Sequence, residues 1–304
     1  MAAACTAGFL WGTGSLVVNL LVHRHGYSPQ SISFWRFVLG SLALLAVFGW
    51  RMPWRQHVRE GGLLLGAGVV MAGYVLAWFV GIAYIGAAIP TLIALCLPPV
   101  FVTLWGLVRH EARADAELLA LLALALAGTT GLVVGGHATA GGPSVPALNT
   151  TTWLAGLAAS LASALLYAGF TLVSPRLSRR WGASSATTAL TVVATTVMAL
   201  SACVTPLQVP HETTPEAWLL YLGMVTAALA LFAFNWGAAR LTPTALTLAT
   251  LVEPLTAVVL AAWLLGERLS GWQWAGAALL MGSLFGWGRR EAREAATTRE
   301  GNAR

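Results

Sequence analysis

Residues 247–267 read TLATLVEPLTAVVLAAWLLGE, and residues 91–111 read TLIALCLPPVFVTLWGLVRHE. Laid one under the other, 156 positions apart, they share Thr91/Thr247, Leu92/Leu248, Leu95/Leu251, Pro98/Pro254, Val102/Val258, Leu104/Leu260 and Glu111/Glu267. The same offset, without a gap, pairs Arg24 with Arg180, Gly26 with Gly182, Ser28 with Ser184 and Gly81 with Gly237. Leu and Ala coincide often by chance in a chain so rich in them, but paired Pro, Gly, Arg and Glu do not. The chain reads as a tandem duplication.

Composition says where the two copies live. Of 304 residues 58% are hydrophobic and 9% charged, and the mean hydropathy is +0.75. A soluble domain carries about 25% charged residues, so this chain lacks the polar side chains to cover a surface in water. It reads as an integral membrane protein. The net charge is +6, yet every basic residue is Arg and no basic run is interleaved with stacking aromatics, which argues against a nucleic-acid surface. Cys5, Cys96 and Cys203 are odd in number and lie in apolar stretches. They read as small buried side chains, not as a disulfide or metal framework.

Crossing about 30 Å of hydrocarbon takes about 20 apolar residues. Breaks at charge, Pro and Gly clusters predict ten spans, near 4–22, 32–50, 61–83, 88–108, 118–136, 153–173, 187–205, 217–238, 243–264 and 272–288. The start, MAAACTAGFLWG, has no basic n-region and is read as the first span, not a signal peptide. With the N-terminus inside, the arginines gather on inner segments; only Arg24 and Arg268 fall outside, and Arg36 lies within a span. The outer joins 137–152 and 206–216 hold no Arg. The positive-inside rule then puts both termini in the cytoplasm.

Five spans per copy is an odd number, so the second copy enters the membrane from the opposite side. The expected fold is all-α: ten transmembrane helices as two inverted-topology five-helix repeats, a construction that places a binding site near the midplane. The first repeat covers 1–136, a Gly/Pro/Ser/Thr-rich linker 137–152, the second repeat 153–288, and a polar, frayed cytoplasmic tail 289–304. Asn149-Thr150-Thr151 fits a glycosylation sequon and is read as a chance match.

Glu253 is the most informative side chain. It sits about halfway along the ninth span, where an acid costs roughly 2.5–3.5 kcal/mol on insertion scales. Its counterpart in the first copy is Leu97, so the duplication does not require it. It either titrates, pairs with a cation or touches a solute, or it is locked to a neighbouring helix. Arg36, near the outer end of the second span, also lacks a copy. Either it faces the cavity, attracting a carboxylate or neutralising Glu253, or it snorkels to the outer interface. Pro90, Pro98, Pro99 and Pro254 interrupt the fourth and ninth spans, and the paired Pro98/Pro254 points to both spans lining a central path. Midspan polar and aromatic residues complete the candidates: Trp11, Asn19, Tyr74, Trp78, Tyr167, Asn235 and Trp236. Trp11 and Tyr167 are equivalent in the repeat, as are Phe79 and Asn235. Trp35, Trp50, Trp54, Trp153, Trp272 and Trp274 near span ends read as interface anchors, and Gly66, Gly68, Gly73 and Gly81 as helix–helix contacts.

Enzyme signatures are absent: no His lies midspan, and no HExxH, nucleophile elbow or phosphate loop occurs. His23-Arg24-His25 reads as a solvated loop rather than a metal site.

The sequence resembles the drug/metabolite transporter (DMT) superfamily, in particular its EamA-type members. The resemblance is carried by GFLWGTGSLVVNLL (8–21), SISFWRFVLGSL (31–42) and LTPTALTLATLVEPLTAVVLAAWLLGERLSGWQWAGAALLMGS (241–283), with the EP pair and the GERLS ending most specific. The first copy departs from it, since RHEARADAE (109–117) keeps only the Glu of that ending. The resemblance implies a ten-helix bundle around a central cavity, with Trp11, Tyr74, Trp78, Pro98, Tyr167, Asn235 and Glu253 at or near it. It implies a secondary transporter of a bacterial inner membrane that exports small metabolites, amino acids first. A multidrug or lipid-intermediate exporter on the same scaffold is the alternative. No cofactor or metal is expected. The expected partners are a small-molecule solute and the lipid bilayer, with protons as the coupling ion to test and no nucleic acid, in a monomer or a homodimer.

Overall fold

A computed structural model describes residues 1–52, 61–85, 88–109, 115–139, 150–201, 203, 205–210, 213–265 and 270–302, and among them every regular element is helical. In chain order these are α1 (Ala2–His23), α2 (Pro29–Phe48), α3 (Gly61–Ile85), α4 (Ala88–Val108), α5 (Ala116–Thr139), α6 (Thr150–Trp181) and α7 (Ala183–Ser201). They continue with α8 (Thr213–Tyr221), a π-helical stretch (Leu222–Leu229), α9 (Ala230–Ala238), α10 (Pro243–Ala249), α11 (Val252–Leu265) and α12 (Gly271–Asn302). Among the described residues six helical segments are long and apolar enough to cross a bilayer: α1, α2, α3, α6, α7 and the continuous run Thr214–Ala238. The other expected spans fall on α4, α5, α10 with α11, and α12.

Local chemistry sets the joints. Gly26 (φ +68°) turns the chain out of α1, then Ser28 caps α2 by accepting from the Ser31 N–H, with Pro29 in the first helical position. Gly182 (φ +77°), at the repeat offset from Gly26, makes the corresponding turn between α6 and α7. Thr242 and Pro243 start α10 in the same way as Ser28 and Pro29 start α2. Asp115 accepts from the Leu118 N–H at 2.7 Å to begin α5.

Three expectations are corrected. The ninth span is not one helix, because α10 ends at Ala249 and α11 begins at Val252. Pro254 therefore lies in the first turn of α11, where its missing N–H costs no helical bond. The tail expected to fray from residue 289 is helical as far as Asn302. Its Ala, Glu and Arg are good helix formers, and its start is tied down by ion pairs from Arg290 to Asp115 (2.6 Å) and from Arg293 to Glu117. Of the expected linker 137–152, residues 140–149 lie outside the described residues, with α5 running to Thr139 and α6 starting at Thr150. Finally, Gly66 is no contact glycine: a Cβ there would meet nothing within 4 Å, whereas one on Gly73 or Gly81 would meet Leu166 or Ser160, and one on Gly68 would strike Val193.

Packing follows small residues, as expected where lipid removes the hydrophobic drive between helices. Helix α1 runs through the centre against α9 and α11, α6 packs on α3 and α4, and α2 on α7 and the π stretch. Helices α5 and α12 lie antiparallel: Gly128 approaches the backbone of Gly276 and Leu280, while Asp115 meets Arg290 at the opposite end. Leu42, Val47, Leu65, Val108, Leu200 and Phe285 are exposed, as are Trp50, Trp153, Trp272 and Trp274. An exposed shell of this kind suits hydrocarbon rather than water. Trp54 lies outside the described residues.

The Asp115–Arg290 pair is exposed on the carboxylate side, and Arg290 holds the Asp115 carboxyl below the usual carboxylate range. A carboxyl depressed on folding contributes stability above its unfolded pKa and loses it as pH falls through the folded one. Asp115→Asn is therefore expected to lower the apparent Tm slightly at neutral pH and low salt. The gap should close in high salt or once acid protonates the wild-type carboxyl; a gap of equal size under all three conditions would contradict the assignment.

Candidate functional site

The centre of the bundle holds a cavity with an empty volume of about 420 Å³, mouth included. Helix α1 contributes Trp11, α2 Arg36, α3 Tyr74, Val75 and Trp78, and α4 Ala94 and Leu95. Ser163 and Tyr167 come from α6, and Glu253 from the first turn of α11. The character of the wall is that of a small-molecule site: mainly apolar and aromatic, with few polar groups.

Five of the polar and aromatic wall residues are held by side-chain hydrogen bonds. Arg36 is 4% exposed and does not reach an interface. Its Nε donates to the Thr226 hydroxyl at 3.0 Å and its Nη2 to the Thr226 carbonyl at 3.2 Å. The Trp11 indole donates to that same carbonyl at 2.9 Å. Tyr167 donates to the Thr250 hydroxyl at 3.2 Å, Trp78 to that of Thr91 at 3.3 Å, and Ser163 to the Tyr74 carbonyl at 2.8 Å. Glu253 is 3% exposed. Among the described residues its carboxylate makes no ion pair, with Arg36 or any other cation. The positive end of α11 lies beside it, since Glu253 occupies the first turn.

The prolines act on this wall at a distance. Pro98 and Pro99 lie inside α4 and supply no N–H to the carbonyls four residues back, those of Ala94 and Leu95. Ala94 and Leu95 are the two α4 residues in the wall, whereas Pro98 itself is buried and not part of it. On α11, Gly12 and Gly8 of α1 come so close to the unwound step that a Cβ on Gly12 would stand 2.5 Å from the Glu253 carbonyl oxygen. One on Gly8 would stand 2.9 Å from that of Thr250.

Aromatic rings close one end. Phe170 and Phe234 are fully buried and stacked at 5.8 Å; Trp11 touches Phe234 at 5.5 Å, and Tyr74 meets Tyr167 at 5.2 Å and Phe170 at 5.6 Å. Beyond this floor, Asn235 accepts from Ser174 (2.7 Å) and Ser178 (3.1 Å) and donates to the Leu231 carbonyl (2.9 Å). A smaller void shares Trp11, Arg36 and Trp78 with the main cavity and continues past Gly14, Val18 and Leu222.

Of the residues singled out from the sequence, Trp11, Arg36, Tyr74, Trp78, Tyr167 and Glu253 thus stand around one space, while Pro98 and Asn235 stand outside it. Thr226, Phe170, Phe234 and Thr250 were not anticipated. Their types are ordinary in apolar helices, and the π turn that aims the Thr226 carbonyl has no signature in a uniformly apolar run. No cluster of three metal-ligating side chains occurs among the described residues.

Comparison with known proteins agrees with this architecture. The chain is 29% identical over 282 residues to the uncharacterized transporter YwfM of Bacillus subtilis (strain 168), covering 90% of this chain and 88% of that one. A solved crystal structure, 21% identical and covering 94% of each chain, superposes with a TM-score of 0.73, a likeness of fold. Residues 1–134 and, separately, residues 154–288 each match one family of multi-pass transporters. Two matched stretches filling most of the sequence decide the assignment: the chain belongs to the EamA-like transporter family.

Proposed function

We propose that the protein is a secondary transporter that exports small metabolites, amino acids first, across a bacterial inner membrane by alternating access through the central cavity. One observation carries the reading. The wall takes Trp11, Arg36 and Tyr74 from the first matched stretch and Tyr167 and Glu253 from the second, so movement of one against the other remakes the site. Two inverted five-helix repeats are supported by the separate family matches and by left-handed turn glycines at the equivalent positions Gly26 and Gly182. Cytoplasmic termini are supported by the arginine asymmetry.

Arg36 and Glu253 bring a guanidinium and a carboxyl group to a common apolar space, which suits a solute bearing both an acidic and a basic group. With no nucleotide-binding motif in the sequence, uphill export draws on an ion gradient or a partner protein; otherwise the protein is a facilitator. The test is counterflow in proteoliposomes preloaded with single unlabelled amino acids. Accelerated exchange with a defined set is expected, and none with any amino acid, from folded protein, would remove the amino-acid reading. Glu253→Gln is expected to flatten the pH dependence of exchange; an unchanged profile would strip Glu253 of a proton-sensing role. The alternative, export of hydrophobic cations, is favoured by the aromatic wall facing Glu253, and predicts exchange with such cations but not with amino acids.

A further inference from the structure

We propose that Thr226 is the positioning residue of the solute site: it anchors Arg36 in the cavity wall and keeps the guanidinium from closing onto Glu253. The inference rests on the transport reading for its solute, but not for its geometry. A guanidinium and a carboxyl group that line one cavity of low dielectric attract strongly when both are charged. Arg36 instead spends two of its five N–H donors on one residue, through Nε to the Thr226 hydroxyl and Nη2 to its carbonyl. The fork of the guanidinium fits this pair of acceptors as a single-point ammonium does not.

The backbone around Thr226 is built for the contact. It lies in the π stretch, where Ala230 N–H reaches back to the Val225 carbonyl, five residues away. Such turns recur at functional positions in helices. The Thr226 carbonyl takes two side-chain donors from other helices, Trp11 and Arg36, and so fixes two walls of the cavity at once. The hydroxyl in turn donates to the Leu222 carbonyl at 2.7 Å, which leaves its lone pairs aimed at Arg36. Two glycines allow the approach: a Cβ on Gly14 would stand 2.9 Å from the Thr226 methyl, and one on Gly223 would strike Leu39 of α2. Held in this way, Arg36 keeps its remaining donors for an anionic group of the solute, and Glu253 stays free of an internal partner.

Two measurements test this, one with transport and one without. Thr226→Val keeps the shape and removes the hydroxyl. In counterflow with L-leucine as probe it is expected to raise KM about tenfold, the scale of one lost hydrogen bond to a charged group, with the saturating rate little changed. Thr226→Ser should restore KM. Independently, a double-mutant cycle of Arg36→Gln and Glu253→Gln, read as apparent Tm, should show only a weak coupling in the wild-type background. In Thr226→Val it should show a clear stabilising coupling, as the released guanidinium reaches the carboxylate. If Thr226→Val does not fold, Arg36→Lys asks the same question and should show the same KM rise and a new coupling to Glu253. A loss of saturating rate at constant KM, failure of Ser to restore it, or a coupling unchanged between backgrounds overturns the proposal. Wild-type protein that exchanges no solute, yet gains the coupling in Thr226→Val, removes the transport reading and leaves the positioning role standing.

Discussion

Gly12→Ala is expected to destabilise the protein by about 3 kcal/mol, the upper part of the range for overpacking a core, and to lower the apparent Tm accordingly. The new methyl would stand 2.5 Å from the Glu253 carbonyl oxygen and 2.7 Å from the Thr256 Cβ. One of these obstacles is backbone, which cannot rotate away, so α1 must separate from α11. The matched control is Gly66→Ala, where the methyl meets nothing within 4 Å. There the better helix propensity of Ala, worth about 1 kcal/mol, should leave Tm level or slightly higher. Equal losses at the two positions would show that the Gly12 contact is not the tight one.

Arg36→Ala should have the largest effect on activity. It removes the cation opposite Glu253 and leaves that carboxylate alone in an apolar space, while the Thr226 hydroxyl loses its charged donor. Truncating one member of a buried, hydrogen-bonded charge arrangement costs several kcal/mol, so exchange of carboxylate-bearing solutes should fall about 100-fold. Amines without a carboxylate should be spared. A uniform fall for both classes, in protein that still folds, would mean that Arg36 supports the wall without recognising the solute.

These two residues also show what periodicity and composition can and cannot disclose. Helix existence was readable because apolar runs of membrane length have few alternatives, and the repeat offset foretold that Gly26 and Gly182 would play the same part. Depth along a helix was readable too: Glu253 and Trp11 stand out as polar and aromatic groups in midspan. What stood opposite was not readable. For Arg36 the sequence left snorkelling and the cavity open, and the partner that decides between them is Thr226, 190 positions away on another helix. Pro254 announced an interruption, but the break falls at Thr250–Leu251, because a proline sits comfortably in the first turn of the helix that follows it. Asn235 looked like a cavity residue by its depth; two serines on α6 satisfy it behind the aromatic floor. The glycines of α3 were alike as letters, and only their neighbours separate Gly68 from Gly66.

The approach of Gly8 and Gly12 to the unwound step has a mechanical meaning. Where two helices meet through side chains, a shift can be absorbed by a change of rotamer. Here backbone rests on backbone, and there is nothing to give. Helix α1 and the start of α11 are therefore expected to shift together, with the turn at Thr250–Leu251 as the point where the chain can bend. Any displacement of Glu253 carries Trp11 with it, and with Trp11 the ring that meets Phe234 across the floor.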